Sequence, residues 1–207
     1  MENIICVKFK VESEAYQAMT ELKKTAVNDL YVISQAALVK KAGGQLVTVD
    51  GFDTGSHTED DTLTGGLVGG LVGILGGPIG MLVGGSIGAL AGGVVDAHDA
   101  AAGVTTIEEV GGKLLDGDVA IIALVQEDAF EPLDAAFLKY ETFIIRRDAA
   151  EVADEIRQAK EFQEEMEREA RRKLREEKKN ERKEKIEEQK AKIKADFEAL
   201  KSKFDRE

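Results

Sequence analysis

The stretch Thr64 to Val95 reads TGGLVGGLVGILGGPIGMLVGGSIGALAGGVV, part of a run from Thr62 to Val95 in which 34 residues carry no charge and hold 13 of the 21 glycines. The glycines are ordered. Gly65, Gly69, Gly73 and Gly77 recur every four residues, and Gly76, Gly80, Gly84, Gly88 and Gly92 form a second such row. On a helix this spacing puts each row on one face, and a face without Cβ atoms lets another backbone approach closely, as in apolar helices packed through GxxxG. These glycines are the expected helix-packing and oligomerisation residues. Each Gly in a helix interior costs about 1 kcal/mol relative to Ala, so the run starts with a deficit on the order of 10 kcal/mol. It is therefore expected to be covered, by sister copies or by lipid.

Gly76-Gly77-Pro78 is a stop followed by a residue suited to a first helical turn, which predicts a hairpin of two helices, about 63–75 and 78–95. At 1.5 Å per residue the arms reach roughly 20 and 27 Å, short of about 30 Å of hydrocarbon, whereas one unbroken tilted helix would span it. Asp60 and Asp61 precede the run and Asp96 and Asp99 follow it, with no Lys or Arg nearby to fix an orientation. A hairpin dipping into a bilayer and one sealed inside a protein assembly both stay open.

Charge divides the rest of the chain. Residues 1–145 carry 8 Lys/Arg against 21 Asp/Glu, and residues 146–207 carry 20 against 19. The acidic first part repels phosphate backbones, which argues against nucleic-acid binding. The opening Met-Glu-Asn-Ile-Ile-Cys has no basic region before an apolar one, so no secretory signal is expected. A single cysteine, Cys6, leaves no internal disulfide and suits a reducing cytoplasm.

Around the glycine run the pattern is α+β. Ile5, Val7 and Phe9 alternate as the apolar face of a strand, with Cys6 on the less apolar one. Ser13 is placed to cap a helix striped by Ala15, Ala18, Met19, Leu22 and Ala26. Residues 30–40 read as a second strand and 45–50 as a third, joined by a turn at Ala42-Gly43-Gly44. Thr106 with Glu109 predicts a capping box for a helix carrying Ile107, Val110 and Leu114, followed by a strand at 119–125. Asp128 is placed to start a helix with Phe130, Leu133 and Phe137 inward, and a last strand covers 142–145. The expected fold is a ferredoxin-like βαββαβ sheet with an added αβ unit. The segments are 1–50 and 104–147 for the α/β domain, 51–103 for the inserted glycine-zipper hairpin, and 148–207 for a long charged helix.

In that last segment no Gly or Pro occurs, and Glu164/Arg168, Glu167/Arg171, Glu169/Lys173, Glu181/Lys185 and Glu188/Lys192 place an acid four residues before a base. An apolar seam runs through Val152, Ile156, Ala159, Phe162, Met166, Ala170 and Leu174. A second, of Ile186, Ile193, Phe197, Leu200 and Phe204, has near-heptad spacing and supplies the expected helix-docking residues. A rod docking at both ends is expected.

Little in the chain suggests catalysis. His57 and His98 lie just outside the glycine run, and if the hairpin closes, Asp60, Asp61, Asp96, His98 and Asp99 meet at its mouth as a candidate divalent-cation set. The plainer reading is a solvated collar, since no established ligand motif is present. Cys6 has no His in sequence reach and reads as a small buried hydrophobe. The glycine run lacks GxGxxG and has no Lys-Ser/Thr after a glycine loop, so phosphate binding is not indicated. The bases between Arg168 and Lys185 are interleaved with Glu169, Glu176, Glu177, Glu181 and Glu184, as on a solvated rod. No enzyme activity and no cofactor is expected.

Asp-Leu-Tyr-Val-Ile-Ser-Gln-Ala-Ala-Leu-Val at 29–39, the glycine insert ending in Val94-Val95-Asp96, and Gly-Asp-Val-Ala-Ile-Ile-Ala-Leu-Val-Gln-Glu-Asp at 117–128 carry a resemblance. Over about residues 1–150 the chain resembles the family called domain of unknown function 1269, whose members resemble general stress proteins and are often described as membrane proteins. The resemblance implies a bacterial or archaeal protein of the cytoplasm or the inner membrane face, tied to stress. It supplies no catalytic residues, and the charged helix after Asp148 exceeds the family pattern. The expected function is non-enzymatic self-assembly through the glycine-zipper hairpin with membrane or lipid association. The alternatives are a large soluble homo-oligomer with buried hairpins, and a small-ligand-binding ferredoxin-like module with a membrane anchor. The partners expected are other copies of the chain, and a bilayer or bound lipid.

Overall fold

The structure is a computed structural model; it describes residues 1–55, 66–80 and 105–204, with side chains of the C-terminal helix described as far as Ile193. In chain order the elements are β1 (Glu2–Phe9), α1 (Glu12–Thr25), β2 (Tyr31–Ala42), β3 (Gln45–Asp53), α2 (Gly66–Gly76), α3 (Thr106–Lys113), β4 (Val119–Glu127), α4 (Glu131–Phe137), β5 (Thr142–Asp148) and α5 (Ala149–Phe204). Two compact units result, Met1–Lys160 and Glu161–Glu207.

In the first unit the strands form one sheet in the order β3-β2-β4-β1-β5, with every neighbouring pair antiparallel. β4 is central because Val119 to Val125 is apolar on both sides, and all seven residues are buried. β3 lies at the edge, with Val47 and Val49 exposed. β5, the strand of the last expected αβ unit, pairs with β1 at one edge, and β3 pairs with β2 at the other.

The sheet is covered on both faces. Ile5, Val7, Ile33, Leu38 and Ile121 meet α1 through Ala15, Ala18, Met19 and Leu22, and α4 through Leu133 and Phe137. Phe9 sets its ring edge-on to Phe137 and Tyr140, at 6.2 and 5.8 Å between centroids. On the opposite face Ile4, Cys6, Val39, Ile122 and Leu124 meet α2, α3 and the first turns of α5, through Leu71, Leu75, Val110, Val152 and Ile156 among others. On the Cys6 face of β1 only Ile4 and Cys6 are buried, while Glu2 and Lys8 at its ends are half-buried, so this is the less apolar face of the strand. Ile4 and Cys6 share one core cluster with α2, part of the segment read from sequence as an insert.

Three helix starts differ from the expected caps. α1 begins after Val11 with no side-chain cap, and Ser13 lies inside the helix; Glu12 and Glu14 in its first turn and Lys23 and Lys24 in its last suit the helix dipole instead. The capping box of α3 is Thr105 with Glu108, one residue earlier than Thr106 with Glu109. α4 starts after Phe130 without a side-chain cap from Asp128, and Phe130 turns outward to stack 4.4 Å from the Arg146 guanidinium carbon.

Over its described residues, 161–204, the second unit is helix alone. Glu164–Arg168 and Glu167–Arg171 pair at 3.0 Å as the spacing implies, while Glu169 takes Arg172 at 3.6 Å in place of Lys173. Ile186 and Ile193 are exposed. The side chains of Phe197, Leu200 and Phe204 lie outside the described residues.

Candidate functional site

Helix α2 is the described part of the glycine run, and the sheet decides what each of its glycines does. Its apolar residues Leu67, Val68, Leu71, Val72, Ile74 and Leu75 are all buried within the first unit. Burying six such side chains contributes on the order of 10 kcal/mol, against about 3 kcal/mol of propensity lost at Gly69, Gly70 and Gly73. The expectation that this arm needs another copy or lipid to hold it is therefore corrected. Its own sheet already covers it.

The entry to α2 is fixed by Gln35, a buried residue of β2. Its Nε2 donates to Asp53 Oδ2 at 3.2 Å, and its Oε1 accepts from the Val68 amide at 3.4 Å, so it satisfies one of the free N–H groups of the first turn. Gly66 starts the helix at φ +71°, and a Cβ there would meet Gln35 Nε2 at 1.9 Å. A Cβ on Gly70 would lie 3.3 Å from Ile156 Cγ2. At the exit, a Cβ on Gly76 would lie 2.7 Å from the Leu46 carbonyl oxygen of β3, which makes Gly76 a site of close backbone approach. Gly80 meets the Leu75 carbonyl in the same way.

Gly69 and Gly73 are different. Both are exposed, and among the described residues nothing lies within 4 Å of where a Cβ would stand. Of the first expected row, then, these two glycines face outward together, one turn apart. In the second row Gly76 and Gly80 are held by backbone of their own unit. Gly77 is half-buried after the end of α2. Gly65, Gly84, Gly88 and Gly92 lie outside the described residues, as do residues 81–95 of the second arm, His57, and the candidate cation set Asp60, Asp61, Asp96, His98 and Asp99.

The layer that holds α2 is itself clamped. Glu155 of α5 accepts hydrogen bonds from the Thr106 amide and hydroxyl at 3.0 and 3.1 Å and from the Ile107 amide at 3.2 Å, placing a carboxylate at the N-terminus of α3. Lys41 donates to the carbonyls of Gly111 and Leu114 at the other end, at 2.9 and 2.7 Å. Arg147 pairs with Glu109.

A second polar network lies under β1 and was not foreseen. Glu127, at the end of β4, has a fully enclosed side chain; Asn3 donates to its Oε1 at 3.0 Å and Arg146 Nε at 2.8 Å, while Arg146 also reaches Asp134 at 2.6 Å. The only hint in the sequence is a glutamate closing an apolar strand, Val119–Glu127. These contacts tie β1, β4, α4 and β5 together, while Glu127 Oε2 is buried without a hydrogen-bond partner among the described residues.

Cys6 is buried, and desolvation, with the nearby Glu109 charge adding to it, pushes its thiol up to about 12. At neutral pH it is a thiol packed in the core, without the thiolate a nucleophile needs. The cleft between α1 and α4, lined by Leu22, Thr25, Tyr31 and Phe137, encloses about 250 Å³, below the roughly 300–1,000 Å³ of ordinary ligand pockets. Among the described residues, no helix is long and apolar enough to cross a membrane.

These features define an α+β protein built on a five-stranded antiparallel sheet, with a glycine-rich helix as part of one covering layer. Residues 62–162, from the glycine run into the first turns of α5, match the model of the family described as protein of unknown function (DUF1269), and the chain resembles that family. Neither a curated protein nor a solved structure matches the chain.

Proposed function

We propose that the chain is a non-enzymatic, self-assembling protein in which α2, anchored on its own sheet, offers the open backbone of Gly69 and Gly73 to the same face of a second copy. One observation carries this reading. Among the described residues, Gly66, Gly70, Gly76 and Gly80 each have a neighbour in their own unit that accounts for the missing side chain, and Gly69 and Gly73 have none. Two exposed helix-interior glycines cost about 2 kcal/mol relative to Ala, a cost that no described neighbour in the subunit offsets. Close backbone approach from outside would recover it. The strands β2, β4, β1 and β5, with α1 and α4 on one face, have the order of two interleaved split βαβ units, which supports the ferredoxin-like reading of the sheet.

The test is the variant Gly69→Leu/Gly73→Leu. Both positions point into open space, so the fold is expected to hold its melting temperature or gain slightly from better helix propensity. Particle size by mass photometry is expected to fall to that of one subunit. An unchanged size in the variant contradicts the proposal, and phospholipid extracted from the detergent-free wild-type particle but not from the variant would assign the face to lipid instead.

A further inference from the structure

The second unit carries a charge pattern that neither the fold nor the glycine face uses. Residues 161–170 hold five acids and one base, and residues 171–180 hold six bases and two acids. The rod is thus strongly acidic for its first ten residues and strongly basic for the next ten. Ala170 stands at the border. Along the same stretch Phe162, Met166 and Leu174 are 49, 47 and 56% exposed, a broken apolar row at four-residue steps through Ala170.

We infer that residues 161–180 pair antiparallel with the same residues of a second copy, with the two-fold axis at Ala170. Such a contact is isologous, so each level of one helix lies against the level equally far from Ala170 on the other side of the second. The acidic half of each helix then lies along the basic half of the other, and Glu167 and Glu169, which flank the Met166/Ala170/Leu174 row, lie beside Arg171 and Lys173 of the second copy. Met166 meets Leu174 of the second copy twice, on either side of the axis, and the small Ala170 lets the helices cross closely there. Glu164, Glu176, Arg168 and Arg172, whose levels would set like charge against like, lie more than about 100° round the helix from that row and point away from the contact; Glu164 and Arg168 pair within their own helix at 3.0 Å.

The opposite orientation fails on charge. A parallel pair in register would set five acids against five acids and six bases against six, with repulsion that has no counterpart in the antiparallel form. The antiparallel form also opposes the helix dipoles. A contact of about 20 residues is roughly 30 Å long, and so short a pairing is weak unless another contact raises the effective concentration of the two rods. The glycine face would supply that contact, and without it the rod pairing is expected to be weak and to rise with protein concentration.

Orientation can be read by disulfide formation in the full-length protein. Two cysteines at position 166 of an antiparallel pair lie about 12 Å apart along the axis, beyond the roughly 7 Å Cα separation a disulfide bridges, whereas position 166 lies level with position 174 of the other copy. Met166→Cys and Leu174→Cys proteins, oxidised separately and as a mixture, are therefore expected to give disulfide-linked dimer in the mixture and little in either alone; wild type, with Cys6 buried, serves as the blank. The yield is expected to fall as salt rises. Equal dimer from either protein alone, or none in the mixture, overturns the pairing. The same experiment in the Gly69→Leu/Gly73→Leu background separates the two proposals. Preference for the mixture there upholds the rod contact even if the glycine face proves not to associate.

Discussion

Leu71→Ala is expected to lower the unfolding free energy of the unit Met1–Lys160 by about 2–5 kcal/mol, the range for emptying a closed apolar site. Leu71 is fully buried where α2 meets the sheet, among Val39, Ile122 and Val110 of the same core cluster. The effect belongs to the subunit. If α2 were held only by neighbouring copies, the variant would dissociate without a change in the stability of the sheet. Urea unfolding followed by tyrosine fluorescence separates these outcomes, because the three tyrosines, Tyr16, Tyr31 and Tyr140, all lie in the first unit, and the long helix contributes none. A midpoint shift at unchanged slope is expected.

Arg146→Met is expected to cost about 3–5 kcal/mol, the penalty for leaving a buried charge without its partner. Glu127 has no solvent of its own, and its Oε1 takes bonds from Asn3 and Arg146. The paired variant Glu127→Met/Arg146→Met removes the charge together with its partner, so it is expected to lose less than the single one. Equal losses would mean that packing of the Arg146 side chain, including its stacking on Phe130, outweighs the ion pair. The same urea assay decides.

The two networks show what the sequence could and could not reveal. Alternation exposed β1, and the Ala15/Ala18/Met19/Leu22 stripe exposed α1, because in both the apolar residues have polar neighbours to mark the outside. In α2 that contrast is missing. Every gap between its glycines is filled by Leu, Val or Ile, so inside and outside look alike, and a helix packed on its own sheet reads as an insert seeking a partner. Only the space around each glycine separates the inward Gly70 and Gly76 from the outward Gly69 and Gly73. Adjacent threonines hid the α3 cap in a similar way. Thr105 and Thr106 each have a glutamate three residues on, and the choice fell to tertiary contact, because Glu155 from α5 occupies the Thr106 hydroxyl. Glu127, Arg146 and Asn3 are far apart in sequence, and no local pattern links them. The charge blocks of the rod, in contrast, are written directly in residues 161–180, where no tertiary contact is needed to read them.

The account rests on α2 being sealed against its own sheet while its outer face remains free. Amide hydrogen exchange of residues 67–76 in the Gly69→Leu/Gly73→Leu protein, held as single subunits, tests this most directly. Exchange as slow as that of β4, governed by unfolding of the whole unit, is the result the account requires. Rapid exchange of α2 while β4 stays protected would show a helix that its own subunit does not hold, and would contradict it.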